Sequence, residues 1–140
     1  MTDHNTFILN RYIAKSIDLL IAWAFALILP PVGPLAGLLF LSIADGFNEG
    51  QSPGKRITKL KVVKREGLES ISFKESIFRN IPFAIVYIFF IVPFLGWFLL
   101  VIVGLPILLL ECYLICSSDE STRVGDIIAD TKVIDAQPQN

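Results

Sequence analysis

The chain has 140 residues, 54% of them apolar and only 18% charged, with a mean hydropathy of +0.64 and a formal net charge of −1. A soluble domain is about 45–50% apolar and about 25% charged, so both deviations point to a membrane protein and exclude disordered, collagen-like, disulfide-scaffold and coiled-coil classes. The near-zero net charge leaves no global basic field, so nucleic acid is not an expected partner.

Residues 17–44 hold a single charge, Asp18, and the run breaks at Pro30-Pro31-Val32-Gly33-Pro34, because proline and glycine punctuate helices. The pattern predicts helices near 7–29 and 34–47. The second is about 21 Å long, short of the ~30 Å hydrocarbon core, so a re-entrant hairpin formed by helices one and two is an alternative to two full spans. A signal peptide with Arg11 and Lys15 as its basic region is rejected: Asp18 interrupts the apolar stretch and no Ala-x-Ala site follows.

The connector 48–72 is polar. Period-two character from Thr58 to Val62, then Glu66-Gly67 and Leu68-Glu69-Ser70-Ile71, predicts a small β-hairpin at the membrane surface, to which the β-branched segment 131–135 can add a third strand. Helix three, near 73–92, opens with Ser72 as N-cap and Glu75 as its capping-box partner. Glu75 and Arg79 are spaced for an i,i+4 pair, and Pro82 is expected to kink the helix. Residues 81–110 carry no charge. As one helix they would run about 45 Å, so Pro93-Phe94-Leu95-Gly96 is the expected break and helix four lies near 97–116, ahead of a tail at 117–140. The fold class expected is an all-α membrane protein: a single domain spanning 1–140, two transmembrane helical hairpins (about four helices), and a small cytoplasmic β-element.

Of the twelve basic residues, none falls in the two short turns at 30–34 and 93–96. The positive-inside rule therefore puts both termini and the connector in the cytoplasm of a cell (plasma or inner) membrane. Residues 55–80 hold eight basic side chains against Glu66, Glu69 and Glu75; residues 117–140 hold Arg123 and Lys132 against Asp119, Glu120, Asp126, Asp130 and Asp135. The tail is thus complementary to the connector. The connector's Lys55, Arg56, Lys59, Lys61, Lys64 and Arg65 also suit anionic lipid headgroups, at about 1 kcal/mol for each basic side chain near the surface.

Ionisable side chains within membrane helices are costly and mark function by default. Four qualify: Lys15, Asp18, Asp45 and Glu111. Arg11, Lys15 and Asp18 recur at i, i+4 and i+7 and share one face of helix one. Lys15 and Asp18 are close enough to pair, whereas Arg11 and Asp18 stand about 10.5 Å apart in rise, so at least one needs a partner elsewhere, Arg79 being one option for Asp18. Two readings stand. In one, Arg11 and Lys15 snorkel to the inner headgroups while Asp18 completes a structural ion pair. In the other, Asp18 is a proton or cation site, with Glu111 as a second. Asp45 is read as the end of helix two, with Gly46 as the breaker.

Enzymatic chemistry finds no footing. Gly50-Gln51-Ser52-Pro53-Gly54-Lys55-Arg56 has three residues between its glycines and Arg56 after the lysine, where a phosphate loop needs four residues and Ser or Thr. His4, the one histidine, lies in the N-terminal segment and leaves no Ser/His/Asp set. Cys112 and Cys116 read as small apolar residues in a membrane helix, and no metal-ligand set or cofactor motif is present.

The motifs taken together resemble a known family. Arg11-Tyr-Ile-Ala-Lys-Ser-Ile-Asp18 is similar to the opening Arg-x-x-Ala-x-x-Ile-Asp of the RDD family of small membrane proteins. Gly50-Gln-Ser-Pro53-Gly54-Lys55-Arg56 and Leu60-Lys-Val-Val63 resemble its Gly-x-Thr-Pro-Gly-Lys-Arg and Leu-x-Val-Val segments. Arg79-Asn80 resembles its Arg-Asn pair. Gly125-Asp126-Ile-Ile-Ala-Asp-Thr131-Lys-Val133 resembles its closing His-Asp-x-x-Ala-Gly-Thr-x-Val, with Gly125 where the family often has His and Asp130 where it often has Gly. The residues behind the family's name map to Arg11, Asp18 and Asp126. The resemblance implies a multi-pass membrane domain. It also implies, from members associated with these activities, either monovalent cation/proton antiport or regulation of membrane partners, and it adds Asp126 to the candidate cation/proton residues.

Three functions are weighed. A cation/proton exchanger needs a titrating acid at membrane depth and, with so few helices, a homo-oligomer. A non-enzymatic partner, regulator or lipid-binding protein acts through the basic connector on lipid or another membrane protein. An enzyme would need a nucleophile, metal or cofactor site that the sequence lacks.

Overall fold

A computed structural model describes residues 3–118 and 120–136. The order of elements is α1 (His4–Ile28), α2 (Gly33–Ile43) running into a 3-10 turn (Ala44–Gly46), α3 (Pro53–Ile57), β1 (Leu60–Lys64), α4 (Phe73–Ile91), α5 (Leu95–Leu99), a π-helical segment (Leu100–Gly104), α6 (Leu105–Ser117), α7 (Val124–Ile128) and β2 (Thr131–Asp135). The molecule is mostly helical with one two-stranded sheet.

The buried stripe of α1 is Arg11, Ala14, Asp18 and Ala22, spacings that return to one face every turn or two. This stripe organises the fold into three zones. At its start, Phe7 packs against a core of Leu60, Val62, Ile71 and Val133 under the sheet. At its far end, Ala22 packs with Leu41 and Tyr87, flanked by Leu38, Phe40 and Ile91. Between them lies a zone of buried charge. The far zone closes tightly where Gly37 meets Ala22, since a Cβ at 37 would collide with the Ala22 carbonyl oxygen, and the Tyr87 hydroxyl donates to that carbonyl at 3.3 Å.

The helix breaks fall at Leu29–Val32 and Val92–Phe94, where the sequence places Pro30-Pro31 and Pro93. Helix two ends earlier than its apolar run: the α-helix stops at Ile43 and the chain tightens into the 3-10 turn. Together Gly33–Gly46 rise about 21 Å, short of a span. α5, the π-helical segment and α6 form one continuous helix, Leu95–Ser117, of 23 residues. The π register, with the Leu105 N–H bonded to the Leu100 carbonyl, sits just ahead of Pro106, whose missing N–H interrupts the α-helical ladder. Among the described residues this is the one helix that is both long and apolar enough to cross a membrane by itself. α1 and α4 carry charged residues within their length.

At the start of α4 the Glu75 carboxylate accepts from the Ser72 N–H at 2.9 Å. It does not pair with Arg79, whose side chain turns inward to Asp45 and Asp126. The hairpin expected in the connector is also different. β1 pairs antiparallel with β2, Val62 opposite Val133 and Leu60 opposite Asp135, while the segment 68–71 contributes only a bridge between Val63 and Ser70. The turn through Gly67 and Leu68, both at positive φ, uses up the residues that would have formed a second arm. β2 brings Val133 onto Leu60 and Val62, so the apolar contact favours the tail. Two short helices for which the sequence reading has no counterpart form in the connector and the tail, α3 and α7. Of the acidic residues read as complementary to the connector, Asp119 lies outside the described residues.

Candidate functional site

The central zone gathers side chains from six elements. α1 supplies Arg11, Lys15 and Asp18. The 3-10 turn supplies Asp45, α3 Lys55, α4 Arg79 and Asn80, α6 Glu111, and α7 with its cap Arg123 and Asp126. Arg79, Asn80, Glu111 and Asp126 are at most 2% exposed, as are Asp18 and Asp45. Charges so deeply buried persist only when paired and hydrogen-bonded.

Asp126 is the hub on the tail side. Its Oδ2 accepts from Arg11 Nη2 at 2.7 Å, and its Oδ1 lies 2.7 Å from Arg79 Nη2 and 3.5 Å from Arg123 Nε. Arg11 also donates from Nη1 to the Ser121 carbonyl at 2.7 Å. Burial alone would push the Asp126 carboxyl up, but Arg79, Arg123 and Arg11 outweigh it and hold the group below the usual carboxylate range. α7 can approach α4 this closely because position 125 is glycine: a Cβ there would collide with the Arg79 carbonyl oxygen.

Asp45 is the hub on the connector side. Lys55 Nζ is ion-paired with its Oδ1, Arg79 Nε lies 3.3 Å from its Oδ2, and Asn80 Nδ2 donates to the same oxygen at 3.2 Å. Burial raises its carboxyl, yet Lys55 and Arg79 hold it well below the ordinary value. Burial pulls the Lys55 ammonium down, opposed by Asp45. Arg79 thus bridges the two hubs.

Asp18 is in neither hub. Its Oδ2 accepts from the Ser52 hydroxyl at 2.6 Å and its Oδ1 from the Gly54 N–H at 2.9 Å. Ser52 in turn receives the Lys55 N–H at 3.3 Å, so Asp18 anchors the start of α3 against α1 through neutral donors. Gly54 is required at that approach, since a Cβ would meet the Ala14 carbonyl oxygen. The anticipated Lys15–Asp18 and Arg79–Asp18 pairs are replaced by other contacts. Lys15 donates to Asn80 Oδ1 at 3.0 Å and its ammonium lies 4.4 Å from the Phe83 ring centre. Arg123 flanks the same ring at 5.1 Å and donates to Asn80 Oδ1 at 3.4 Å.

Glu111 accepts from the Gly125 N–H at 3.4 Å through Oε1. Its buried Oε2 has no hydrogen-bond partner among the described residues, and the same holds for Arg79 Nη1, which makes no ion pair either. These groups border a cavity of about 230 Å³ between α1, α4 and α6. Five basic side chains line it (Arg11, Lys15, Lys55, Arg79 and Arg123) against one acid, Glu111. Its remaining wall is mainly apolar, including Leu19, Phe83, Leu108 and Ile115.

Of the motif loop, Gly50 stands beside β1, its carbonyl receiving the Val62 N–H at 2.9 Å, and Pro53 and Gly54 begin α3. Lys55, expected at the headgroups, is instead buried against Asp45 because the short helix turns it inward. Arg56 and Lys59 are exposed. Lys61, Lys64 and Arg65 form surface pairs with Glu49, Glu69 and Glu120 at 3.3, 3.8 and 3.0 Å. In the sequence Asp45 reads as a helix end, and Asn80 and Arg123 carry no local sign of a place in the site. For Asp45 the usable signal was an acid at the edge of a long apolar run, facing a connector rich in Lys and Arg.

The picture is that of a helical membrane-type domain whose first and last segments meet on one buried carboxylate. The chain belongs to the RDD family, whose profile matches residues 6–130, and is accordingly a membrane protein. Neither a curated protein nor a solved structure matches it. The family's motif segments are far apart in sequence. Here they converge: Arg11 bonds Asp126, and Asp18 holds the Ser52-Pro53-Gly54 segment.

Proposed function

We propose that this chain is a non-enzymatic membrane module that acts by binding a lipid or a membrane partner, not by exchanging monovalent cations for protons. The observation carrying this reading is the lining of the cavity, with five basic side chains and one acid. Arg11, Lys55, Arg79 and Arg123 share Asp45 and Asp126, whereas Lys15 has no carboxylate partner among the described residues and opposes an entering cation by about 4 kcal/mol at 4 Å, taking the effective dielectric near a protein surface. The acids that would serve an exchanger are occupied: Asp18 by neutral donors, Asp45 and Asp126 by Lys and Arg. In this proposal the chain enters the membrane as two hairpins, α1 with the short α2 and α4 with the helix Leu95–Ser117, with the termini and connector cytoplasmic and Arg56 and Lys59 free for headgroups. A cysteine at Ser70 then reacts with an impermeant reagent only after permeabilisation, and labelling of intact cells would reverse the orientation.

A second reading, exchange through Glu111, is favoured by one observation, the unpartnered buried Oε2. The deciding experiment uses purified protein in liposomes, with internal pH followed during Na⁺, K⁺ and Li⁺ jumps. The proposal expects no cation-dependent proton flux. Flux that disappears in a correctly folded Glu111→Gln protein would replace it with the exchange reading.

A further inference from the structure

The cavity has two chemically distinct ends. Its inner wall presents Arg11, Lys15, Arg79 and Arg123, with Arg79 Nη1 lacking a hydrogen-bond partner among the described residues. The lining residues that reach the surface are Ser16 and Leu19 of α1 and Cys112 of α6, so the cavity opens on the side between these two helices. There the two helices touch through the Tyr12 hydroxyl, 3.5 Å from the Cys112 carbonyl and 3.8 Å from Cys116 Sγ. The same two helices also bear exposed Leu20, Leu109 and Tyr113. A ligand fitting this shape has an anionic end for the bases and a hydrocarbon end that leaves sideways between α1 and α6.

The geometry points to a binding site for a single phospholipid. Its phosphate is held by Lys15, Arg79 and Arg123, a headgroup hydroxyl or ammonium donates to the free Oε2 of Glu111, and its acyl chains pass Leu19 and Leu108 into the bilayer. The chemistry is consistent at each end. Guanidinium groups are planar donors suited to phosphate oxygens. A buried carboxylate oxygen with no donor is the complement of a hydroxyl or ammonium and would repel a bare phosphate. The volume, about 230 Å³, is below the ~300–1,000 Å³ that encloses a whole drug-sized ligand, so it takes a polar head while the chains stay outside. A free phosphate or glycerophosphate shares the charge but leaves the apolar mouth unused. This inference rests on the binding reading above.

The test uses the full chain, stripped of lipid in detergent and titrated with phosphatidylglycerol, phosphatidylethanolamine, phosphatidylcholine, glycerophosphoglycerol or inorganic phosphate, with bound mass read by native mass spectrometry. One tightly held phosphatidylglycerol or phosphatidylethanolamine per chain is expected, at least tenfold preferred over phosphatidylcholine, whose headgroup lacks a donor for Glu111. Lys15→Gln should weaken binding about tenfold. Leu19→Trp, which narrows the mouth and leaves every charge in place, should weaken the lipids while leaving phosphate retention unchanged. Circular dichroism and size exclusion establish that both variants are folded. Equal retention of lipid by wild type and both folded variants would mean surface lipid only and overturn the site. So would binding of inorganic phosphate as tightly as phospholipid. Cation-driven proton flux in liposomes would refute the binding reading while leaving a measured lipid site intact, so the two failures are told apart.

Discussion

The two ends of the helical array are stabilised in opposite ways. At one end, Arg11, Asp45, Arg79 and Asp126 are buried in a network of named pairs. At the other, around the turns at 30–34 and 93–96, large apolar side chains stand open: Ile28 is 73% exposed, Phe94 84%. The first end carries its own partners, so its geometry is set within the chain. The second leaves large apolar side chains uncovered by the chain itself, and exposed apolar patches mark surfaces that something else covers. Substitutions should therefore cost much at the charged end and little at the apolar end when the protein is held in detergent.

The largest effect is expected from Asp126→Ala, which strands Arg11 and Arg123 in a buried zone and leaves Arg79 with Asp45 as its one carboxylate partner among the described residues. Breaking a buried pair by removing one partner costs about 3–5 kcal/mol, enough to abolish cooperative thermal unfolding followed by circular dichroism in detergent. Acid should loosen the same region more gradually. The carboxyls of Asp45 and Asp126 are held below their ordinary value, so their contribution is fully present above the unfolded aspartate pKa of about 3.9 and is lost as pH falls through the lower folded values. Thermal stability should thus be flat in these two groups from neutrality down to about pH 4 and decline below it. A decline centred near neutrality would mean that these carboxylates are not paired as described.

Gly125→Ala tests the close approach of α7 to α4. The added methyl meets the Arg79 carbonyl, and such overpacking costs about 1–3 kcal/mol. Asp18→Ala removes the acceptor at the start of α3, a loss comparable with a helix cap at about 0.5–2 kcal/mol. Asp18→Asn, which keeps one acceptor oxygen, should retain part of that. At the other end Phe94→Ser should change stability in detergent by less than about 0.5 kcal/mol. A large loss there would erase the contrast between the two ends.

Much of the helical frame is legible in the sequence because its signals are local. Proline and glycine set the turns, and Ser72 with Glu75 marks the start of α4. The spacing of Arg11, Lys15 and Asp18 puts them on one face of α1. What they bond is not legible, because Arg11 to Asp126 and Lys15 to Asn80 are separated by 115 and 65 residues, and no local periodicity encodes such pairings. The same holds for β1, whose partner comes from the tail instead of the adjacent segment, and for Lys55, turned inward by a five-residue helix that carries no amphipathic pattern.

Arg11 and Asp126 join α1 to α7 across 115 residues of sequence. A double-mutant cycle with Arg11→Met, Asp126→Asn and the double variant, read by chemical unfolding in detergent, measures that link. Residues in one buried network couple by about 0.5–3 kcal/mol, and a coupling of about 1 kcal/mol or more is predicted here. Energies that add to within about 0.3 kcal/mol, the behaviour of distant independent sites, would contradict it.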